Sequence, residues 1–176
     1  MILALLCAAT TGFRSIPLTL DELANRAECV VHARVVSKQC EEDARGQIFT
    51  KINLDLLEVW KGRLDTTRCQ IVHGGGVLGD QETRVSGQVH YHIGEEMIAF
   101  LKRNEAGEWI TVGLAQGKLR VQHDGAAKAA ERAEVAVRLH RDRANLTSGW
   151  TRITLEVLRK KLMEPSSPGH AVEEKR

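Results

Sequence analysis

Histidines are the residues of this sequence whose spacing most directly suggests chemistry. The triplet His90-Tyr-His92 would place two imidazoles on one face of an extended segment, because side chains alternate between the faces of a strand. Together with His73 or Glu95, this pair would supply ligands for a metal ion. A solvent-facing polar edge would show the same spacing, and we favour that interpretation. We therefore expect no metal; His73, His90 and His92 are ligands only if the alternative holds.

A glycine-rich stretch, Gly74-Gly-Gly76 followed by Gly79, invites comparison with a phosphate-binding loop. Such a loop runs straight into a helix and ends in Lys-Ser or Lys-Thr. Residues 77–86 contain no such helix start. The stretch therefore predicts a turn-rich connection.

His73, Asp80 and Ser86 lie in one predicted loop and contain the residue types of a hydrolytic triad. The sequence has no Gly-x-Ser-x-Gly elbow, and closeness along the chain does not make a triad. No catalytic residue and no cofactor are predicted.

The composition describes a globular protein and argues against several classes. A chain of 176 residues buries roughly two-thirds of its unfolded surface, and 43% hydrophobic residues are too many for a disordered chain. No apolar run reaches the ~18 residues of a membrane span. The net charge of +2 and an aromatic content of 4% favour neither nucleic acid nor an anionic membrane as partner.

The elements that would position these loops follow from hydrophobic periodicity. The capping box Thr19-Leu-Asp-Glu22 predicts a short helix from Leu20 to about Ala27. Five strands are predicted, over residues 28–38, 48–60, 68–73, 95–102 and 109–121, the last interrupted at 113–117. The Leu56-Leu57 pair breaks the alternation of the second strand and predicts a bulge there.

The strand order predicts a mainly β protein with a closed barrel. A meander, a long connection and a hairpin are typical of the five-stranded oligonucleotide/oligosaccharide-binding (OB) barrel, with a β-sandwich as the alternative. We place this OB-like barrel at residues 19–124. Ten residues at alternate positions of four strands are expected to share one core. They are Cys29, Val31, Ala33, Val35, Ile52, Leu54, Ile71, Met97, Ala99 and Leu101.

The two ends of the chain differ in character from the barrel. Alanine-rich residues 126–143 and amphipathic residues 154–163 predict a helical extension over 125–164, and residues 165–176 have the composition of a disordered tail. The apolar run 1–9 ends in small residues and resembles the end of a secretory signal, with Cys7 and Ala9 before the cleavage point. Residues 1–18 are therefore expected to be a truncated signal segment and leader; an ordinary frayed terminus is the alternative.

Cysteine usage fits export without a disulfide framework. Removal of the leader would leave Cys29, Cys40 and Cys69, an odd number. In an OB meander, Cys29 and Cys69 are two strand spacings apart, roughly 9–10 Å, which exceeds the reach of a disulfide. We predict no disulfide within the barrel.

Two segments carry a family resemblance. Residues 27–36, Ala-Glu-Cys-Val-Val-His-Ala-Arg-Val-Val, and 52–62, Ile-Asn-Leu-Asp-Leu-Leu-Glu-Val-Trp-Lys-Gly, resemble the first two strands of the netrin-like domain, which is the OB domain of tissue inhibitors of metalloproteinases. Over residues 19–121 the chain also resembles a group of uncharacterised exported bacterial proteins, through a Gly-Glu-Glu strand at 94–101 and a Gly-Leu-Ala-Gln-Gly-Lys stretch at 113–118.

The resemblance implies an OB barrel in an exported protein, periplasmic or secreted. It does not imply protease inhibition. The inhibitors chelate zinc through an N-terminal cysteine before the first strand, and this chain has no cysteine between Cys7 and Cys29.

The functional prediction is a non-catalytic binding module. The connection 74–94 is several times longer than the usual 4–6 residues, and long ordered loops are often functional. We expect the binding surface on Val77, Leu78, Arg84, Val89 and Tyr91, facing an envelope or extracellular protein. The alternatives are a loop that merely spans the barrel end, a metal-dependent or hydrolytic enzyme using residues 73–95, and a nucleic-acid-binding barrel.

Overall fold

A computed structural model describes residues 16–123, 134–138 and 150–163 of the chain. The helices are α1 (Leu20–Arg26) and α2 (Leu155–Met163). The strands are β1 (Cys29–Glu42), β2 (Ile48–Lys61), β3 (Arg68–Gly74), β4 (Gly76–Leu78), β5 (Gln81–Thr83), β6 (Glu96–Arg103), β7 (Trp109–Thr111), β8 (Lys118–Arg120), β9 (Glu134–Arg138) and β10 (Trp150–Thr154). A single turn of 3-10 helix, Leu114–Gly117, separates β7 from β8, so the interruption predicted in the fifth strand is confirmed.

Five strands close into a barrel. Strand β1 pairs with β2 on one side and β6 on the other, and β2 pairs with β3. The ring closes where β7 pairs with β6 and, in parallel, with β3 through Ile71 and Trp109. The predicted OB-like barrel is therefore confirmed, with β7 and β8 as two parts of its fifth strand along β6.

Bulges bend the long first hairpin. His32 faces Glu58 and Ala33 faces Leu56, so Leu57 is the extra residue that the sequence predicted. A second irregularity between Val35 and Ser37 leaves Val36 unpaired. Such bulges increase the local twist, which allows β1 and β2 to curve around the barrel.

The barrel interior forms one apolar core. All ten residues predicted for it belong to a single buried cluster, which Cys69, Val89 and Tyr91 complete. The thiols of Cys29, Cys40 and Cys69 are free in the structure.

A second core lies on the outer surface of the barrel. The opposite faces of β1 and β6 carry Val30, Ile98 and Phe100, and the two helices cover them. Helix α1 contributes Leu20 and Leu23, and α2 contributes Leu158. Residues 97–101 of β6 and 29–31 of β1 are buried on both faces, which explains the continuous apolar runs there. The predicted capping box of α1 is present between Thr19 and Glu22.

Two predictions of secondary structure need correction. The helix predicted over 126–143 is wrong at 134–138, which form β9 and pair with β10; the remainder of that range lies outside the described residues. The connection 74–94 is not a plain loop, because β4 and β5 form a hairpin within it. Residues 1–15 of the predicted leader (1–18) and the whole predicted tail (165–176) lie outside the described residues, whereas Leu18 of the leader is buried in the outer core. In the described part of the chain, neither helix has the length and apolarity needed to cross a membrane.

Candidate functional site

A cleft of about 640 Å³ opens at one end of the barrel, beside the β4–β5 hairpin. We call it the mouth cleft and define it by six polar residues that line it. They are Lys38, Cys40, Thr50, His73, His90 and His92. The sheet register places Cys40, Thr50 and His73 in one row across β1, β2 and β3. This row follows the core row of Ile52 and Ile71, so the polar row begins where the barrel core ends.

The hairpin lies directly on this polar row. Thr50 is buried, its hydroxyl donates to the carbonyl of Gly75 at 2.7 Å, and Cys40 Sγ lies 3.3 Å from Thr50 Oγ1. Gly76 has φ +148°, and a Cβ there would lie 2.5 Å from Thr50 Oγ1 and 2.6 Å from Cys40 Sγ. Only glycine allows β4 to approach Thr50 and Cys40 this closely.

His73 is held as a neutral imidazole. Its ring stacks on Tyr91 with centroids 5.8 Å apart, and its Nδ1 donates to the carbonyl of Gly74 at 2.9 Å. Burial lowers the pKa of His73, and the nearby His90 and Lys38 lower it further, against the opposing effect of the Gly74 hydrogen bond. The ring therefore keeps a lone pair on Nε2 at neutral pH.

The segment that carries the other two imidazoles is anchored through Tyr91. The Tyr91 hydroxyl lies 2.5 Å from Thr111 Oγ1, and burial raises the pKa of Tyr91 to about 12. Lys118 lies 4.8 Å above the Tyr91 ring and donates to the carbonyl of His90. Since Tyr91 is buried, its neighbours His90 and His92 are exposed, as the alternation predicted.

Glu95, one of the ligands considered for a metal site, serves a different purpose. Its side chain is only 3% exposed, with Lys118 Nζ at 2.6 Å and Arg120 Nε at 3.4 Å. It also accepts the backbone N–H of His92 at 3.1 Å. Glu95 is thus a buried ion-pair partner that fixes the His90–His92 segment. Within the described residues, no group of three or more His, Cys, Asp or Glu is arranged to hold a metal ion.

The predicted binding surface is only partly exposed. Val77 is 59% exposed on the hairpin, Leu78 is half-buried, and Arg84 is exposed and bonded to Glu82 at 2.7 and 3.1 Å. Val89 and Tyr91 also line the cleft but are only 3% and 4% exposed, so they offer a partner little surface. Both fill the barrel core because the segment after the hairpin crosses the barrel end with every second side chain turned inward.

Sequence reasoning missed three residues of the mouth cleft, Lys38, Cys40 and Thr50. They lie near the ends of β1 and β2, far along the chain from the long connection. The sequence signal that could have identified them is that β1 and β2 extend beyond their last core residues, next to the glycine run.

The backbone of the glycine run is already paired within the fold. The amide of Gly75 donates to the carbonyl of Ile48 at 2.8 Å, and Gly76 pairs with Thr83 in the hairpin. A phosphate cradle would need such amides free to face a ligand.

No protein-family model and no curated protein sequence matches this chain. The netrin-like resemblance therefore stays a prediction.

Proposed function

We propose that this chain is a non-catalytic binding module that takes a segment of another exported protein at the mouth cleft. The observation that carries the proposal is the cleft itself, about 640 Å³ between a hairpin and an anchored segment. Ligand sites in proteins are clefts of ~300–1,000 Å³ that combine apolar walls with a few placed polar groups. Here Val77 supplies exposed apolar surface, and Arg84 is a residue type favoured at interfaces.

The hydrogen bonds of the cleft support binding over catalysis. A nucleophile needs a base within hydrogen-bond reach. Cys40 contacts Thr50, Thr50 donates to Gly75, and His73 donates to Gly74, so among the described residues that line the cleft no hydrogen bond joins a thiol or hydroxyl to an imidazole. Export and an envelope partner are part of the proposal and rest on the residues before 19.

The experiment uses peptides as probes of the full chain. A library of short random peptides displayed on phage is selected against the wild-type protein. Each enriched peptide is then tested against a variant in which a Gly-Ser turn replaces 76–83. The matched control carries Gly-Ser in place of 105–106, an exposed turn after β6.

We expect the enriched peptides to bind the control variant but not the variant that lacks the hairpin. Urea denaturation of both variants checks that the barrel still folds. Failure to enrich any peptide, or peptides that bind both variants equally, would remove the mouth cleft as the binding site.

A further inference from the structure

The charges at the mouth cleft indicate what kind of ligand fits it. Glu82 is the one carboxylate among the described residues that line the cleft, and it is already bonded to Arg84. Lys38 also lines the cleft, and in the described part of the chain it has no ion-pair partner. The cleft therefore offers an unpaired ammonium group and no unpaired carboxylate.

Three imidazoles also face the cleft. His73 comes from β3, and His90 and His92 come from the segment before β6. Among the described residues, the side chains of His90 and His92 have no hydrogen-bond partner. Every imidazole carries at least one ring N–H, so these two rings are able to donate hydrogen bonds to an anion when one binds.

We propose, on the basis of the proposed function, that the mouth cleft binds an acidic peptide segment of the partner protein, with a carboxylate held by Lys38 and the imidazoles of His90 and His92. Val77 and Val85 are both exposed on the hairpin side of the cleft. They provide an apolar contact for a side chain next to the bound carboxylate. Charge complementarity of this kind sets both specificity and the rate of association.

The backbone of the cleft favours a carboxylate over a phosphate. Phosphate sites in proteins aim several backbone N–H groups at the ligand from a helix N-terminus or a glycine loop. Here the amide of Gly75 donates to Ile48, and Gly76 pairs with Thr83. Single ammonium and imidazole donors remain, and these suit the two oxygens of a carboxylate.

Binding of a carboxylate should be linked to proton uptake. Burial and the neighbouring charges of Lys38 and His90 lower the pKa of His73, and a bound anion would oppose them. Titratable and charged groups reach the cleft from every element around it. They are Lys38 and Cys40 from β1, Glu82 and Arg84 from the hairpin side, and His90, Tyr91 and His92 from the anchored segment. Peptide carboxylates stay ionised well above their pKa of about 4, so affinity should rise as the pH falls from about 8 to about 6.

The test measures the affinity of an enriched peptide by fluorescence anisotropy against the full chain. The same peptide is made with Asn and Gln in place of Asp and Glu. Lys38→Glu is compared with Lys102→Glu, an exposed lysine of β6 outside the cleft. The double variant His90→Gln/His92→Gln is compared with His123→Gln, also outside the cleft.

We expect the enriched peptides to be rich in Asp and Glu. Neutralising the peptide or introducing Lys38→Glu should weaken binding at least about tenfold, while Lys102→Glu changes it little. His73→Gln should lose the rise in affinity at lower pH, the double histidine variant should weaken binding, and His123→Gln should keep both the wild-type affinity and its pH dependence.

Three results would overturn the inference. In the first, enriched peptides bind at the hairpin but contain no acidic residues, or bind Lys38→Glu as tightly as wild type. Either observation would reject the acidic ligand and would not contradict the proposed function. Displacement of the peptide by millimolar inorganic phosphate, but not by acetate, would identify a phosphate ligand instead. Failure to enrich any peptide rejects the proposed function and this inference together.

Discussion

At the scale of single residues, the barrel core gives the most direct test of the fold. Leu54 on β2 is fully buried, and Leu57 on the same strand is 48% exposed at the bulge. Leu54→Asp would bury a carboxylate without a partner, which costs several kcal/mol out of a total stability of about 5–15 kcal/mol. We expect Leu54→Asp to lose its cooperative melting transition by circular dichroism and Leu57→Asp to keep one close to wild type. If the two variants melt alike, the strand register is wrong.

The glycines of the hairpin give a second residue-scale test. Alanine at Gly76 would have a left-handed backbone and would clash with Thr50 and Cys40, whereas alanine at Gly79 would meet only open space. We expect Gly76→Ala to cost roughly 2–4 kcal/mol and Gly79→Ala about 1 kcal/mol, from backbone strain alone. Urea denaturation measures both. Equal losses in the free energy of unfolding would show that β4 does not pack against Thr50 and Cys40.

The sequence predicted inward-facing residues well only where regular strands carry them. Leu54 and Met97 were placed in the core because a period of two assigns a face to every residue of a paired strand. Val89 and Tyr91 were missed because they lie outside any assigned strand, where local pattern does not show that the chain crosses the barrel end. The polar row of Cys40, Thr50 and His73 depends on the register of three strands, which no local pattern encodes.

At the scale of elements, α2 is held to the barrel by one fully buried side chain. Leu158 belongs to the outer core, while its neighbour Val157 is 55% exposed. We expect Leu158→Ala to lower the free energy of unfolding by about 2–5 kcal/mol and Val157→Ala to change it by under about 0.5 kcal/mol. Urea denaturation of both variants tests this. An equally small effect of both would mean that α2 does not pack on the barrel in solution.

Local signals decided which helices the sequence predicted correctly. The capping box at Thr19 and Glu22 is a contact between near neighbours, so it was readable and is present. Residues 134–138 have a helical composition but form a strand, because pairing with 150–154 outweighs weak intrinsic propensity. A pattern read over a few consecutive residues does not indicate pairing with a distant segment of the chain.

At the scale of the whole molecule, two partly buried carboxylates link separate elements: Glu58 joins β2 to α2, and Glu96 joins β6 to β1. Burial alone would raise the pKa of Glu58, but hydrogen bonds from Arg159 of α2 and from Trp60 lower it. Burial likewise opposes the ionisation of Glu96, yet hydrogen bonds from His32 and Arg34 and the nearby His123 lower its pKa. A carboxylate with a lowered pKa stabilises the fold above its ordinary pKa of 4.5, and that contribution is lost as the pH falls through the folded value.

Glu96→Gln isolates one of these contributions. The variant removes the charge that His32, Arg34 and His123 surround, so at neutral pH it should be less stable than wild type by about 1–3 kcal/mol. As the pH falls below 4.5 the unfolded state takes up the proton first, so the two stabilities should approach each other, and they should coincide once the pH is below the lowered pKa of folded Glu96. Glu105→Gln, at an exposed turn, is the control and should follow wild type at every pH. Urea denaturation across the acid range measures the difference in the free energy of unfolding between wild type and Glu96→Gln. A difference that stays constant with pH would show that Glu96 does not contribute to acid sensitivity.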